Sequence, residues 1–100
     1  MEKHVIKLIE VCEILNASKG PDRKYTLREI YVNPEHIISL REASSYEQKI
    51  VEGIMPEDLD PRQRFTRLML NRGQTGSEII VVGAPEMIED KLRMRGVLHG

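Results

Sequence analysis

Apolar and polar positions along this chain alternate with the period of pleated strands over most of its length, then switch to a helical period near the end. The pattern centres on residues 30–40 (IYVNPEHIISL), where two β-rich runs flank an Asn33-Pro34 corner. Pro34 fixes its own φ and pushes Asn33 out of the α region, while the Asn33 side chain can bond the backbone beyond it. The residues on either side are β-branched or long aliphatic, which suits a half-buried pleated surface. Tyr25–Val32 is therefore predicted as one strand and Ile37–Glu42 as another, with the corner a structural turn between them.

Upstream, residues 5–15 (VIKLIEVCEIL) are apolar on both faces, interrupted by Lys7, Glu10 and Glu13. Alternation sets Val5, Ile9 and Val11 opposite Ile6, Leu8, Cys12 and Ile14. Val5, Leu8, Ile9 and Cys12 also fit helical spacing, but Val and Ile dominate and no N-cap precedes the run, so a strand is preferred. Residues 16–24 (NASKGPDRK) read as a turn around Gly20-Pro21-Asp22. From residue 43 to 63 the regular pattern stops, and such an excursion is long for a loop inside a compact domain. Ile50, Val51, Ile54 and Met55 share one side at helical spacing, Pro56 would end a helix there, and residues 57–61 (EDLDP) form an acidic turn. The expectation is a solvated excursion capped by a few apolar residues.

Residues 65–71 (FTRLMLN) make the clearest strand of the second half, followed by a glycine-punctuated hairpin turn at 72–76 and a returning strand at 77–82. Ile79, Ile80, Val81 and Val82 are apolar on both faces, so this strand is either sandwiched between two layers or sits at a subunit contact. After Gly83-Ala84, Pro85 suits the first position of a helix, and Glu86, Glu89 and Asp90 sit toward the positive end of its dipole. Ile88 and Leu92 make the buried stripe with Met87 and Met94 beside it; Lys91, Arg93 and Arg95 favour the far end, Gly96 suits the stop, and the tail 97–100 is expected to be loose.

Composition narrows the class. With 40% hydrophobic and 31% charged residues, the 100-residue chain reads as a single globular domain, 1–100, carrying an inserted excursion at about 43–63. A formal net charge of -1 supplies no bulk attraction toward nucleic acid or anionic membrane. Cys12 is the only cysteine, so no intrachain disulfide forms and a cytoplasmic setting is expected. No run of residues is apolar and long enough to span a membrane. The fold class that follows is α+β: about five strands in a small twisted antiparallel sheet or partly closed barrel, with one C-terminal helix packed on it.

The order of these pieces resembles the small flagellar and swarming-motility family of the FlbD type. The residues that carry the resemblance are the opening Val5-Ile6-Lys7-Leu8 and the corner Val32-Asn33-Pro34 followed by Ile37 and Leu40. Thr66, Leu68, Leu70 and Gly73 continue it, and Val81, Pro85, Glu86, Ile88 and Leu92 close it. The longer first turn, the 43–63 segment and the extra tail depart from that pattern. The resemblance implies a fold and a broad motility or phage setting, and no reaction.

Candidate chemistry is sparse. His4, Cys12, His36 and His99 lack the close spacing of a zinc site, so no metal is expected. Glu57, Asp58 and Asp60 resemble a calcium-loop fragment without its glycine or its closing glutamate. Ser44, Ser45, Ser77 and Cys12 carry no nucleophile motif, and Gly73 and Gly76 connect strand to strand, where a phosphate-cradling loop runs from strand into helix. No catalytic residue and no cofactor is expected. Arg62, Arg64, Arg67 and Arg72 cluster around one strand, with Arg67 projecting opposite Leu68 and Leu70. They are the candidate nucleic-acid contacts, against a plain role in protecting exposed strands from edge-to-edge pairing. The reading is a non-enzymatic interaction or regulatory module, self-associating through Ile79, Ile80, Val81 and Val82; if the 43–63 segment covers that face instead, with Ile50, Ile54 and Met55 turned inward, the chain is expected to be monomeric. Its alternative is a nucleic-acid-binding regulator using the Arg62–Arg72 group.

Overall fold

The structure is a computed structural model and describes residues 5–14, 24–57, 59–72 and 75–94. Five strands form one antiparallel sheet: β1 (Ile6–Glu13), β2 (Tyr25–Val32), β3 (Ile37–Glu42), β4 (Phe65–Arg72) and β5 (Thr75–Val82). Two helices accompany it, α1 (Ser45–Val51) and α2 (Pro85–Met94). The spatial order is β2-β1-β5-β4-β3, so β2 and β3 form opposite rims of an open sheet. Residues 16–23 of the expected first turn and the stop at Gly96 lie outside the described residues, as do Gly73 and Gln74 between β4 and β5.

Alternation decides the two faces. Ile6 pairs with Val32 and Leu8 with Ile30 across β1 and β2, and Leu68 pairs with Leu40 and Ile79 across β3, β4 and β5. Directly paired residues share a face. These side chains, with Leu70 and Val81, build the first face, and α2 covers it through Ile88 and Leu92. Those two are one helical turn apart, so they point the same way into the sheet. The helix starts as its sequence suggests, with Pro85 first and the Ala84 carbonyl accepting from the N–H groups of Met87 and Ile88 at 2.9 and 3.1 Å.

Val11, Phe65, Ile80 and Val82 project from the opposite face. The excursion covers this second face: Ala43 and Met55 are buried against it, and Tyr46, Ile50 and Leu59 pack at its margin. Two expectations are corrected here. The C-terminal helix is accompanied by α1, and the 43–63 segment is a covering layer, not a solvated excursion. The reason is geometric: both faces of β5 are apolar, and burying the second one returns about 1.5–3 kcal/mol per large side chain.

The layer is held by ordered turns. Helix α1 ends at Val51, five residues before Pro56, and Gly53 just beyond its cap has a φ of +80° that suits a left-handed stop. The Gly53 N–H reaches the Ile50 carbonyl at 3.0 Å and the Ile54 N–H reaches that of Lys49 at 3.3 Å, which is the Schellman pattern. The Ile54 carbonyl then accepts from the Lys24 N–H at 2.8 Å, tying the layer to the start of β2. Of the apolar group expected on one side, Ile50 and Met55 turn inward, while Val51 is 76% exposed.

The Asn33-Pro34 corner connects strands that are not neighbours. Only residues 33–36 separate the two rims, including a single 3₁₀ turn over Pro34–His36. So short a link between opposite edges requires the sheet to curl toward itself without closing. The Asn33 Oδ1 accepts from the Glu35 N–H at 2.9 Å and caps the turn. Asn33→Ala is expected to lower stability by about 1 kcal/mol through loss of that bond. A urea melt that does not move would remove the cap from this account.

Candidate interaction surface

The sequence-derived contact residues of β5 lie inside the fold. Val81 is fully buried and Ile79 packs beside it under α2, while Ile80 is buried and Val82 packs at the margin of the second cluster. Of the two alternatives for a two-faced apolar strand, the sandwich is the one observed. Ile80 and Val81 are buried and Ile79 and Val82 half-buried while both layers are in place, so the four side chains do not form an open apolar face.

The arginines separate. Arg62 and Arg64 line an open groove of about 420 Å³ at the start of α2, together with Asp60, Gln63, Ala84 and Met87. Each has an acidic partner: Arg62 Nε lies 3.4 Å from Asp60, and Arg64 donates to Glu42 at 2.8 Å and to Glu86 at 2.9 Å. Those two carboxylates raise the Arg64 pKa above the usual arginine value. In return Glu42 is acidified, first by its bond from Arg64, and Glu86 is acidified first by its own backbone N–H and then by Arg64. The cluster links β3, the entry to β4 and α2, so it reads as a structural clamp on exposed groups. Arg67 projects from the other face, opposite Leu68 and Leu70, and so cannot join Arg64 on one surface. Arg72 closes β4 against Thr75.

Arg67 has a neighbour that sequence reasoning did not single out. Arg41 on β3 stands directly across from Arg67 on β4. With Ser39, Met69 and Glu78 they line a depression of about 200 Å³. The signal for it was register, because Arg41 and Arg67 become neighbours only once β3 pairs with β4.

Both rims are unpaired, since among the described residues β2 pairs only with β1 and β3 only with β4. The two rims differ. β3 has six residues and a bulge that leaves Ile38 without a partner between Ile37 and Ser39. Shortness and bulges are devices that discourage a further strand from pairing. β2 has eight residues in unbroken register, with no proline. Tyr31 on β2 is 64% exposed and Ile38 is 61% exposed, one on each side of the corner. The other three aromatics meet where the covering layer rests on the sheet: Tyr46 of α1 meets Tyr25 edge-on at 5.8 Å and Phe65 at 6.0 Å.

Reactive groups are muted. Burial, then the nearby Glu10 carboxylate, pushes the Cys12 thiol above its ordinary pKa, which disfavours the nucleophilic thiolate. Burial, then Tyr25, raises the Tyr46 hydroxyl in the same way. His36 ends the 3₁₀ turn as an exposed residue, and His4 and His99 lie outside the described residues. Among the described residues no three His, Cys, Asp or Glu side chains gather where they could hold a metal ion. No described helix is long and apolar enough to cross a membrane. No family model, curated protein or solved structure matches the chain.

Proposed function

We propose that the chain is a non-enzymatic interaction module that self-associates along the free rim of β2, in a cytoplasmic motility or phage setting. The observation that carries this reading is the contrast between the two rims. The β3 rim is short and bulged, whereas the β2 rim offers eight residues of regular backbone with unpaired donors and acceptors. A second copy is the economical occupant, because two β2 strands running antiparallel about a two-fold axis close at two copies and extend one continuous sheet. Registers centred on Arg28 or Glu29 would set like charges opposite one another, and one centred on Ile30 avoids this by facing Tyr31 with Glu29 of the second copy. Tyr31 then supplies a large, exposed aromatic at the contact, a residue type enriched where interfaces hold most strongly.

Sedimentation velocity at micromolar concentration is expected to show a dimer. Tyr31→Glu places a carboxylate against Glu29 of the second copy and should shift the population to monomer, while Ile38→Glu on the other rim should leave the dimer intact. A wild-type monomer throughout overturns self-association, and a dimer that survives Tyr31→Glu but not Ile38→Glu moves the contact to β3. The nucleic-acid reading keeps one specific support, the convergence of Arg62 and Arg64 in a single groove. It requires binding that weakens steeply with salt and loses slope in Arg64→Ala.

A further inference from the structure

Cross-strand neighbours of like charge destabilise a sheet. Arg41 and Arg67 are such a pair, directly opposite on β3 and β4. The conflict is only partly relieved. Among the described residues Glu78 is the one carboxylate at the depression they line, and it lies 3.8 Å from the Arg67 Nε, too far for a hydrogen bond. That Nε is buried and has no hydrogen-bond partner. Arg41, an exposed residue, has no ion pair or hydrogen bond among the described residues. Two guanidinium groups against one carboxylate leave the depression with a surplus positive charge. A buried guanidinium N–H without an acceptor is costly, and locally costly arrangements of this kind concentrate at working sites.

We propose that the Arg41–Arg67 depression is a binding site for a single oxyanion, a phosphate or carboxylate group of a ligand. A tetrahedral or planar oxyanion supplies several acceptor oxygens at once, which fits two guanidinium forks and the idle Nε. The depression, of about 200 Å³, accommodates such a group with a few waters. The Ser39 hydroxyl stands at the same wall and can donate a further bond, while Met69 supplies an apolar floor. Glu78 acts as the resident competitor: it is 44% exposed, so it can swing into water when an anion takes its place beside Arg67. The site does not depend on self-association, because all five residues that line it belong to β3, β4 and β5 and none to β2.

The test is calorimetric titration of the full chain with inorganic phosphate and, in a second series, with acetate, both at fixed ionic strength. Saturable binding of either anion is expected, with affinity falling about tenfold or more in Arg41→Gln and in Arg67→Gln. Glu78→Gln should bind more tightly than the parent, which a merely structural role for these residues would not produce. Arg41→Gln, at an exposed position, keeps the test decisive if Arg67→Gln fails to fold. Phosphate alone binding assigns a phosphate ester as the ligand's group, and acetate alone assigns a carboxylate. Absence of binding by both anions, or binding that Arg41→Gln leaves unchanged, overturns the proposal.

Discussion

Replacing Phe65 with alanine is expected to destabilise the protein by about 3–5 kcal/mol, read from a urea or guanidinium melt. Phe65 has no exposed surface. It opens β4 on the second face, where it meets Tyr46 and belongs to the cluster of Val11, Ala43, Met55 and Ile80. Its carbonyl also accepts from the Ala43 N–H at 2.9 Å, so the covering layer departs from the sheet at this residue. Truncation removes the ring and leaves a cavity that the tethered layer cannot fully fill. The second effect follows from the first. A loosened layer exposes Ile80 and Val82, and the variant should bind a hydrophobic dye and associate in ways the parent does not. Phe65→Leu, which keeps most of the volume, should cost about 1.5 kcal/mol or less. A loss for Phe65→Ala below that of Phe65→Leu would mean that the layer is held elsewhere, and the account of the second face would have to be redrawn.

Gly83→Ala should be nearly as damaging, at about 2–4 kcal/mol, for two separable reasons. Gly83 joins β5 to α2 with a φ of +122°, a conformation that L side chains rarely adopt. An added Cβ would also lie 3.2 Å from the Met87 Cε and 3.4 Å from the Ile88 Cδ1. The Met87 terminus is flexible and exposed and can yield, and the Ile88 contact is at an ordinary van der Waals distance, so the backbone conformation carries the larger part of the cost. The site allows little backbone adjustment, because the Gly83 N–H bonds the Arg64 carbonyl at 2.8 Å and the Gly83 carbonyl accepts from the buried Thr66 hydroxyl at 2.8 Å. Removing the steric part in Gly83→Ala/Met87→Ala should recover only a minor share of the loss, relative to Met87→Ala alone. Full recovery there would show that contact, and not backbone conformation, decides the residue at this junction.

These two positions mark the boundary between what the sequence by itself determined and what the tertiary structure decided. The strands and α2 were legible because each is a local matter. Alternation in residues 5–15 already separated Ile6 and Leu8 from Val11, and the folded chain buries them in opposite clusters. Pro85 begins α2, Ile88 and Leu92 form its buried stripe, and Arg67 projects opposite Leu68 and Leu70, all from spacing alone. The two-faced character of Ile79, Ile80, Val81 and Val82 was equally plain, but its meaning was not. Whether a chain covers its own apolar face or leaves it to a partner depends on where a distant segment lands, and no local pattern encodes that. The 43–63 segment has a weak helical period and looks like a loop until Phe65, Ile80 and Val11 are seen to need it. Gly53 was the available clue, as a stop that ends α1 and turns Met55 inward.

Topology was decided at the same level. The Asn33-Pro34 corner was readable as a turn because proline and asparagine constrain the backbone directly. That it spans the two rims, instead of joining paired neighbours, follows from β1 and β5 pairing in the middle of the sheet. Pairing between residues far apart in sequence is selected by the whole set of buried contacts, so no single stretch announces it. Arg41 and Arg67 show the same thing for the candidate site. Twenty-odd residues apart, they carry no motif, and only the β3–β4 register brings two positive charges and one idle N–H to the same wall. The chemistry of each arginine is a property of the sequence, and their opposition is a property of the fold.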